Sequence, residues 1–304
     1  MVFNSMNYFF RVLGACWVLC LTLTQSAYSQ SVEQAWEWYK PATQIAEQIS
    51  SFHDMVFVII VAITLFVLGL LVWVVIRYNE KANPEPSNVT HNTTIEVVWT
   101  LVPILILLVI AVPSFRLLSA QYTLPKPDVV VKTIGYQWYW GYEYPGKDIS
   151  FESRMLDDED IKKQKEKGDP AARLLAVDNP VVVPVNKVTY MYVTSEDVIH
   201  NWTVPAFGAK MDAIPGSPRL VWFKPTKTGI FYGQCSELCG INHAFMPIEI
   251  RVVSEDDYKK WQSLIKDDEE KAKDFLIQAY LDDVKSKTDK VAENSSKRTL
   301  KHLE

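Results

Sequence analysis

The residues best suited to metal chemistry are concentrated in one short segment of this chain. Cys235, Cys239, His243 and Met246 fall within twelve residues, and His200 precedes them. Thiolate, imidazole and thioether ligands suit copper far better than calcium, magnesium or manganese. A mononuclear blue-copper site uses a single cysteine, so the second thiol indicates two copper ions bridged by two thiolates. The segment therefore predicts a dinuclear copper centre, whose chemistry is electron transfer.

Three other interpretations of the two thiols remain open from the residues alone. A disulfide between Cys235 and Cys239 is the ordinary fate of neighbouring thiols in an exported protein. A zinc site usually takes four Cys or His ligands and needs no methionine. A mononuclear copper site would leave one thiol unused. The histidine and methionine at ligand spacing favour a metal, and copper in particular.

Length and charge set the limits for the rest of the chain. Its 304 residues allow one good core with appendages, and the net charge of −5 argues against a nucleic-acid partner. Apolar residues are concentrated before residue 120, and charged residues after residue 250.

The N-terminus has the features of a secretory signal over residues 1–29. Arg11 precedes an apolar run from Val12 to Leu23, and small residues at Ala27 and Ser29 suit a cleavage site. A short first membrane anchor is the alternative. Cys16 and Cys20 lie in this segment and would be lost with it.

Residues 30–124 are predicted to form an exported lead-in and a transmembrane hairpin. The apolar runs 55–76 and 97–115 are long enough to cross a lipid bilayer, although the second contains Pro103 and Pro113. Two crossings return the chain to the exported side. We therefore expect a multi-pass protein of the bacterial inner membrane, with the copper domain and both termini in the periplasm.

Residues 125–255 change to short β-rich runs separated by turn residues, which predicts a Greek-key sandwich or barrel. The runs are Asp128–Ile134, Gln137–Tyr144, Val181–Val185, Val188–Thr194, Leu220–Phe223, Gly229–Gly233 and Ile248–Val253. The charged stretch from Asp157 to Gly168 predicts an exposed helical insertion. Residues 256–304 are expected to be a charged C-terminal tail, solvated as a helix or disordered.

Several strings together resemble subunit II of the aa3-type cytochrome c oxidases, of bacterial or mitochondrial type. They are Thr94-Ile95-Glu96-Val97-Val98-Trp99-Thr100-Leu101-Val102-Pro103, Gln137-Trp138-Tyr139-Trp140, Ser195-Glu196-Asp197-Val198-Ile199-His200, Asp212-Ala213-Ile214-Pro215-Gly216 and the segment from Tyr232 to Pro247. The resemblance covers roughly residues 45–255 and implies a membrane-anchored all-β fold, in which a two-helix hairpin precedes a cupredoxin-like Greek-key domain. Two departures stand out, Tyr136 in place of a usual histidine and Ser217 in place of a usual arginine.

The resemblance implies a ligand set for two copper ions, the copper A centre. Cys235 and Cys239 would bridge the ions, His200 and His243 would each supply an imidazole, Met246 a thioether, and Glu237 its backbone carbonyl. The Glu237 side chain would hold a magnesium or manganese ion at the subunit I interface, with Asp212 close by through water. Hard oxygen ligands suit such an ion. No heme is expected in this chain.

The resemblance also assigns the routes for electrons and protons. It implies electron entry from cytochrome c at Trp138 and a role for Glu96 at the mouth of a proton channel, although a glutamate at a helix start also favours the helix dipole without further function. Docking of basic cytochrome c would use carboxylates. The candidates are Glu143, Asp157, Asp178 and Asp197.

The expected function is that of the electron-entry subunit of a respiratory terminal oxidase. Electrons would pass to heme a of subunit I, which also holds heme a3 and copper B, and subunit III is a further expected partner. Oxygen reduction and proton pumping would belong to the complex. Competing classes are a copper-transfer protein, which generally has a thioredoxin-like βαβ pattern, a quinol oxidase subunit, which lacks these ligands, and a nitrous oxide reductase, which lacks the double span.

Overall fold

The computed structural model describes residues 40–85 and 87–301, and side chains up to residue 290. The predicted signal peptide at residues 1–29 and the first part of the lead-in, residues 30–39, lie outside the described residues.

Two long helices open the described chain. α1 covers Gln44–Arg77 and α2 covers Thr93–Tyr122. Thr43 caps α1 by accepting a hydrogen bond from the Ala46 amide, and Asn92 caps α2 through the amides of Thr94 and Ile95. By length and composition both helices could cross a membrane, and their apolar side chains are exposed. The predicted spans 55–76 and 97–115 lie inside them, and the continuous helices add about three turns or less at each end.

The rest of the chain forms ten strands and three helices. The strands are β1 Val129–Tyr136, β2 Tyr139–Tyr144, β3 Ile149–Ser153, β4 Val181–Pro184, β5 Thr189–Ser195, β6 His200–Val204, β7 Ala209–Ala213, β8 Arg219–Phe223, β9 Gly229–Cys235 and β10 Pro247–Val253. The helices are α3 Asp158–Glu166, α4 Glu255–Asp267 and α5 Glu269–Lys301. Short 3₁₀ turns occur at Pro205–Phe207 and His243–Phe245.

The strands form two five-stranded sheets, in the orders β3-β2-β1-β5-β8 and β4-β10-β9-β6-β7. The β1–β5 and β4–β10 pairs are parallel, and the other pairs are antiparallel. Side chains from both sheets share one core, and the Trp202 indole donates to the Tyr142 hydroxyl across it at 3.3 Å. The architecture confirms the predicted Greek-key sandwich behind a two-helix hairpin.

Strands β3, β6 and β7 were not expected from the sequence. β6 begins with His200 and Asn201, and both are almost fully buried. Because polar residues seldom begin a buried strand, the sequence gives little sign of this one. The run from Gln137 to Tyr144 is not one strand either. Gln137 and Trp138 form a two-residue turn between β1 and β2, because Tyr136 pairs with Tyr139.

The expected charged tail begins inside the folded domain. Tyr258 and Trp261 of α4 belong to the main hydrophobic core, as do Ala272 and Leu276 of α5. An amphipathic face therefore anchors the start of this segment, and residue 255 does not separate domain from tail. The predicted helical insertion is confirmed as α3, which buries Ile161.

The β domain contacts the hairpin at two points. The Thr43 hydroxyl donates to the Phe207 carbonyl at 2.8 Å, next to the N-terminus of α1. The Trp222 indole donates to the Gln121 carbonyl at 2.9 Å, at the end of α2. One end of each helix is thus attached to the sandwich.

Candidate metal centre

The predicted copper ligands come from two adjacent strands and the loop that follows one of them. His200 is the first residue of β6, and Cys235 is the last residue of β9. These strands are antiparallel neighbours, with Trp202 paired to Cys235. Cys239, His243 and Met246 lie on the loop from 236 to 246 that leads into β10. Strand pairing therefore brings His200 beside a cluster that is local in sequence.

The ligand atoms converge on one another. The Sγ atoms of Cys235 and Cys239 are 3.8 Å apart, and the Cys235 Sγ atom is 4.0 Å from Nδ1 of His200. The Cys239 Sγ atom is 3.5 Å from both His243 Nδ1 and Met246 Sδ. The carbonyl oxygen of Glu237 lies 3.4 Å from the Cys235 Sγ atom. All six predicted contributors to the copper site thus meet at one place.

The donor set fits the copper interpretation. Both cysteines are free and buried, and their sulfur separation is far longer than the roughly 2.05 Å of a disulfide. The alternative of a disulfide, which the residues alone left open, is therefore wrong for this structure. His200, Met246 and both cysteines are at least nine-tenths buried. Two soft thiols, two imidazoles and a thioether are a set that copper prefers and that zinc does not require.

The electrostatics of the pair favour one thiolate over two in the absence of a cation. Burial opposes ionisation of Cys235, but hydrogen bonds with His200 and with nearby backbone amides outweigh it and lower the pKa of this thiol. Burial and the neighbouring charge of Cys235 raise the pKa of Cys239. Metal binding requires deprotonated thiols, so a bound cation would supply the charge that both thiolates need.

Close packing holds His200 in place. A Cβ atom added to Gly135 would lie 2.7 Å from Cδ2 of the His200 ring, so only glycine leaves room for it. The ring also makes an edge contact with Trp140, and Nε2 lies 2.8 Å from Oδ1 of Asp197. Burial lowers the pKa of His200, but the contacts with Cys235 and Asp197 raise it by more than burial lowers it. The net shift of the pKa is therefore upward. Nδ1 is left facing the thiol.

Trp138 lies beside the ligand loop. Its side chain is half-buried, and its indole nitrogen donates to the Cys239 carbonyl at 3.2 Å. Trp140, by contrast, is completely buried and donates to the Met246 carbonyl at 3.2 Å. The two tryptophans therefore contact two different ligand residues, and only Trp138 reaches the surface.

The predicted magnesium or manganese ligands are less clearly organised. Glu237 has an exposed side chain. The Asp212 carboxylate, on β7, accepts a hydrogen bond from the Asn201 amide at 2.7 Å. Asn201 in turn accepts a hydrogen bond from the Ser236 amide through its carbonyl, which links Asp212 to the ligand loop. The predicted ion site stays a prediction.

Each predicted docking carboxylate has a partner within the chain. Glu143 forms an ion pair with Lys132 at 3.0 Å, and Asp157 caps helix α3. Asp178 accepts the backbone amide of Arg154 at 2.7 Å, and burial raises the pKa of its carboxyl. Asp197 contacts His200. The four carboxylates therefore have structural contacts that do not depend on docking.

Glu96 also has a local role in the structure. It lies in the first turn of α2, and its Oε1 atom accepts the backbone amide of Asn92 at 3.3 Å. This is the capping contact that a helix-start glutamate makes. The proton-channel role stays a prediction beside it.

Sequence reasoning missed three residues that support the site: Gly135, the Gln137 side chain and the Asp197 contact with His200. The Gln137 amide donates to the Cys239 carbonyl at 2.9 Å. Only Asp197 carries a sequence signal, because an aspartate three residues before a ligand histidine is well placed to orient its ring. The other two act across long sequence separations.

The fold and the site together define a membrane-anchored β-sandwich protein with a buried ligand set of the copper type. Residues 31–117 match the transmembrane domain of cytochrome c oxidase subunit II, and residues 129–253 match its periplasmic domain.

Curated relatives agree with these matches. A probable cytochrome c oxidase subunit 2 of Rickettsia bellii is 49% identical over 222 residues, covering 73% of this chain and 80% of the relative. Cytochrome c oxidase subunit 2 of Cereibacter sphaeroides is 48% identical over 232 residues, covering 72% and 77%. The crystal structure of the periplasmic domain of subunit II (CoxB) of Bradyrhizobium japonicum is 50% identical, covers 47% of this chain and 97% of that one, and aligns with a TM-score of 0.42. The chain belongs to the cytochrome c oxidase subunit II family, and is thus a subunit of an oxidoreductase complex.

Proposed function

We propose that this chain is the electron-entry subunit of a respiratory terminal oxidase. It accepts electrons from cytochrome c at a dinuclear copper centre and passes them to heme a of subunit I. The observation that carries this proposal is the convergence of two buried thiols, two imidazoles and a thioether beside a half-buried tryptophan.

The chain's own residues prepare this step. The thiols of Cys235 and Cys239, the imidazoles of His200 and His243 and the thioether of Met246 would hold the copper ions, which would supply one-electron transfer. Burial of Cys235, Cys239, His200 and Met246 keeps water from the ligands. Gly135 and Trp140 both pack against the His200 ring, so this ligand needs little movement to meet the ions.

Trp138 is the proposed point of entry for the electron. Its indole combines a surface position with a direct hydrogen bond to the backbone of the ligand residue Cys239. Four carboxylates are proposed to steer the basic partner toward this face, since carboxylates increase the rate of encounter with a cation-rich protein. They are Glu143, Asp157, Asp178 and Asp197.

The remaining assignments follow from the same proposal. Glu237 and Asp212 would hold magnesium or manganese at the contact with subunit I, and Glu96 would lie at the mouth of a proton channel. Subunit III would complete the complex. The hairpin would cross the bacterial inner membrane twice, which leaves the copper domain and both termini in the periplasm.

Copper reconstitution tests the proposal most directly. The full chain, purified in detergent and loaded with copper, should be purple, bind two copper ions and give a delocalised mixed-valence EPR spectrum. Zinc loading in parallel serves as the control, since it should give neither colour nor signal. A mononuclear four-line copper spectrum at full loading would contradict the dinuclear centre.

The path of the electron needs a separate experiment. In the assembled oxidase, Trp138→Ala should abolish most turnover with cytochrome c while affinity for cytochrome c stays near normal. Trp222→Ala is the matched control, because this half-buried indole contacts the hairpin instead of the ligand loop. Near-normal turnover of Trp138→Ala would remove Trp138 from the path.

A further inference from the structure

A cavity of about 600 Å³ lies where the hairpin meets the sandwich, and its lining includes none of the proposed copper, magnesium or docking residues. Its volume falls within the roughly 300–1,000 Å³ that is typical of ligand pockets. We call this space the junction cavity. The lining residues that matter here are Gln44, Gln48, Ala120, Asn186, Trp222 and Lys224.

Hydrogen bonds fix the walls of the junction cavity. The Trp222 indole donates to the Gln121 carbonyl at 2.9 Å, and the Tyr190 hydroxyl donates to the Pro125 carbonyl at 2.5 Å. These contacts attach the end of α2 to β5 and β8. The start of α1 is attached through Thr43, which also lines the cavity. Because the sandwich holds one end of each helix, the cavity is a preformed feature of the chain.

The charge of the lining favours an anion. Lys224 carries the only charge among the described residues that line the cavity, and the other polar side chains are amides and hydroxyls. Lys224 is exposed and forms no ion pair with any described residue. The side-chain amides of Gln44, Gln48 and Asn186 can donate hydrogen bonds. An unpaired ammonium group, with donors around it and no carboxylate, suits a phosphate.

The position of the cavity along the helices indicates that this anion belongs to a lipid. The apolar run of α2 ends at Phe115, and Ala120 lies about 7.5 Å further along the helix. A bilayer is about 30 Å thick in its hydrocarbon core and about 40–45 Å with its headgroups, so each headgroup layer is about 5–8 Å deep. The cavity therefore begins at the level of the headgroups. Tyr122 is 78% exposed beside it, at a level where aromatic side chains are enriched.

We propose that the junction cavity binds the headgroup of one anionic phospholipid. Lys224 contacts the phosphate, and the side-chain amides of Gln44 and Gln48 donate to its oxygens. Arg116 lies one helical turn before Ala120 and therefore on the same face of α2, exposed and without an ion pair among the described residues. It supplies a second cation on the membrane side of the phosphate. The acyl chains then run along the exposed apolar side chains of the two helices.

Two other occupants are outcomes of the test. A free phosphate would use Lys224 without the apolar surface of the helices, and a segment of subunit I would need no phosphate. The inference goes beyond the proposed function, because the cavity contains no copper ligand. It rests on a hairpin that crosses a membrane, which the match to the transmembrane domain supports. A chain that failed to bind two copper ions would leave it unchanged.

Lipid binding to the full chain is the first measurement. The copper-free chain in a neutral detergent is titrated with dioleoyl phosphatidylglycerol, and native mass spectrometry counts the lipids that stay bound. We expect one phosphatidylglycerol per chain, and at least about fivefold weaker binding of phosphatidylcholine, whose headgroup has no net charge. Equal retention of the two lipids would overturn the proposal.

Two variants and one matched control show where the lipid binds. Lys224→Gln removes the cation from an exposed side chain and should weaken phosphatidylglycerol binding by at least about fivefold. Ala120→Phe places a ring in the cavity and should abolish retention. Lys126→Gln removes an exposed lysine that does not line the cavity, and this variant should bind like the wild type.

Wild-type retention in either cavity variant would show that the lipid binds elsewhere. If Ala120→Phe fails to fold, Lys224→Gln decides the question against its lysine control. Inorganic phosphate at the concentration of the lipid should not displace phosphatidylglycerol, because it has no chains to pack along the helices. Displacement would mean a site for free anions and would contradict the lipid.

The assembled oxidase decides between a lipid and a partner subunit. Phosphatidylglycerol with a photoactivatable group near its glycerol is added to the purified oxidase, and the labelled peptides are mapped. Label should appear in peptides covering residues 41–50 and 118–126, and Lys224→Gln should reduce it by at least about fivefold. Labelling of these peptides in the isolated chain but not in the oxidase would show that a partner covers the cavity, and the proposal would then be wrong.

Discussion

Two polar clusters lie on the same sheet and differ in how closely their side chains contact one another. The ligand cluster consists of His200, Cys235, Cys239, His243 and Met246. The ion cluster consists of Asp169, Glu249 and Arg251, all buried. Arg251 donates from Nε to Glu249 at 2.8 Å and from Nη2 to Asp169 at 2.5 Å. Glu249 also accepts the Val177 amide at 3.1 Å, so the ion cluster attaches the segment after α3 to β10.

The distances in the two clusters separate a structural role from a binding role. In the ion cluster charged donors and acceptors are in direct contact, which is how a protein compensates for buried charge. In the ligand cluster the atoms are 3.5–4.0 Å apart, and every contact involves sulfur, which is a weak hydrogen-bonding atom. The ligand atoms are close enough to share ions but do not satisfy one another. Oδ1 of Asp169 is the one oxygen of the ion cluster that lacks a hydrogen-bond partner among the described residues. We infer that the fold pairs the charges of the ion cluster itself and leaves the ligand cluster to a metal.

Loss of a bridging thiol should have the largest effect. Cys239→Ser replaces a soft thiolate with a hard hydroxyl and should weaken copper binding by more than about a hundredfold, beyond what loss of an outer contact costs. Competition with a copper chelator measures the affinity. Ser236→Ala, an exposed neighbour on the same loop, should bind copper like the wild type. A mixed-valence EPR spectrum from Cys239→Ser would show that the ligand cluster does not need this thiol.

Substitutions in the ion cluster should change the free energy of unfolding and leave copper binding unchanged. Arg251→Met leaves two carboxylates buried without their partner and should lower the free energy of unfolding by about 3–5 kcal/mol. Denaturant unfolding of the full chain in detergent measures this change. Arg154→Met is the matched control, because its ion pair with Glu152 is exposed and contributes about 1 kcal/mol or less. A cost no greater than that of the control would show that the cluster has little structural role.

Crowding His200 tests how strictly the ligand cluster is organised in advance. Gly135→Ala places a methyl group against the ring and should weaken copper binding by about ten- to a hundredfold. Gly69→Ala is the control, since nothing lies within 4 Å of the Cβ atom that it adds. Unchanged affinity in Gly135→Ala would mean that the ring moves freely to its ligand position.

The smallest effect concerns the pH dependence of the ion cluster. Burial raises the pKa of Glu249 above its ordinary 4.5, although Arg251 opposes the shift. The folded chain therefore holds this proton more tightly than the unfolded chain. The stability that this protonated carboxyl adds is fully present below about pH 4.5. That added stability is lost as the pH rises through the pKa of Glu249 in the folded chain.

Glu249→Gln removes this titration. The difference in free energy of unfolding between wild type and variant should therefore decline as pH rises above 4.5. Thermal or denaturant unfolding at a series of pH values measures it, with exposed Glu196→Gln as the control for a lost carboxylate. A difference that rises with pH would mean that Arg251 dominates and that the pKa of Glu249 is lowered.

The parts that sequence reasoning predicted depend on local patterns. The hairpin follows from two apolar runs, and the loop from Cys235 to Met246 from ligand spacing that a single loop can satisfy. The missed strands have weak local signals, because Asn201 and His200 are polar residues in a buried strand. The sequence predicts a solvated tail for α4 and the first part of α5, because charged residues dominate their composition. The apolar face that Tyr258, Trp261 and Leu276 form gives only a weak signal among those charges.

The support of the site could not be predicted in the same way. Gln137 and Cys239 are 102 residues apart, and Asp169 and Arg251 are 82 residues apart. Each contact requires a particular strand register and loop path, to which no short sequence pattern corresponds.

By itself, the sequence determined the membrane hairpin, the β-rich domain and the kind of metal that the ligand loop prefers, because hydrophobicity and ligand chemistry belong to the residues themselves. Only the tertiary structure decided that His200 packs against Gly135, that the Asp197 carboxylate accepts the Gln137 amide, and that Arg251 lies between two carboxylates. Those outcomes depend on which backbone segments the sheets bring together, and side-chain packing fixes them only once both sheets have formed.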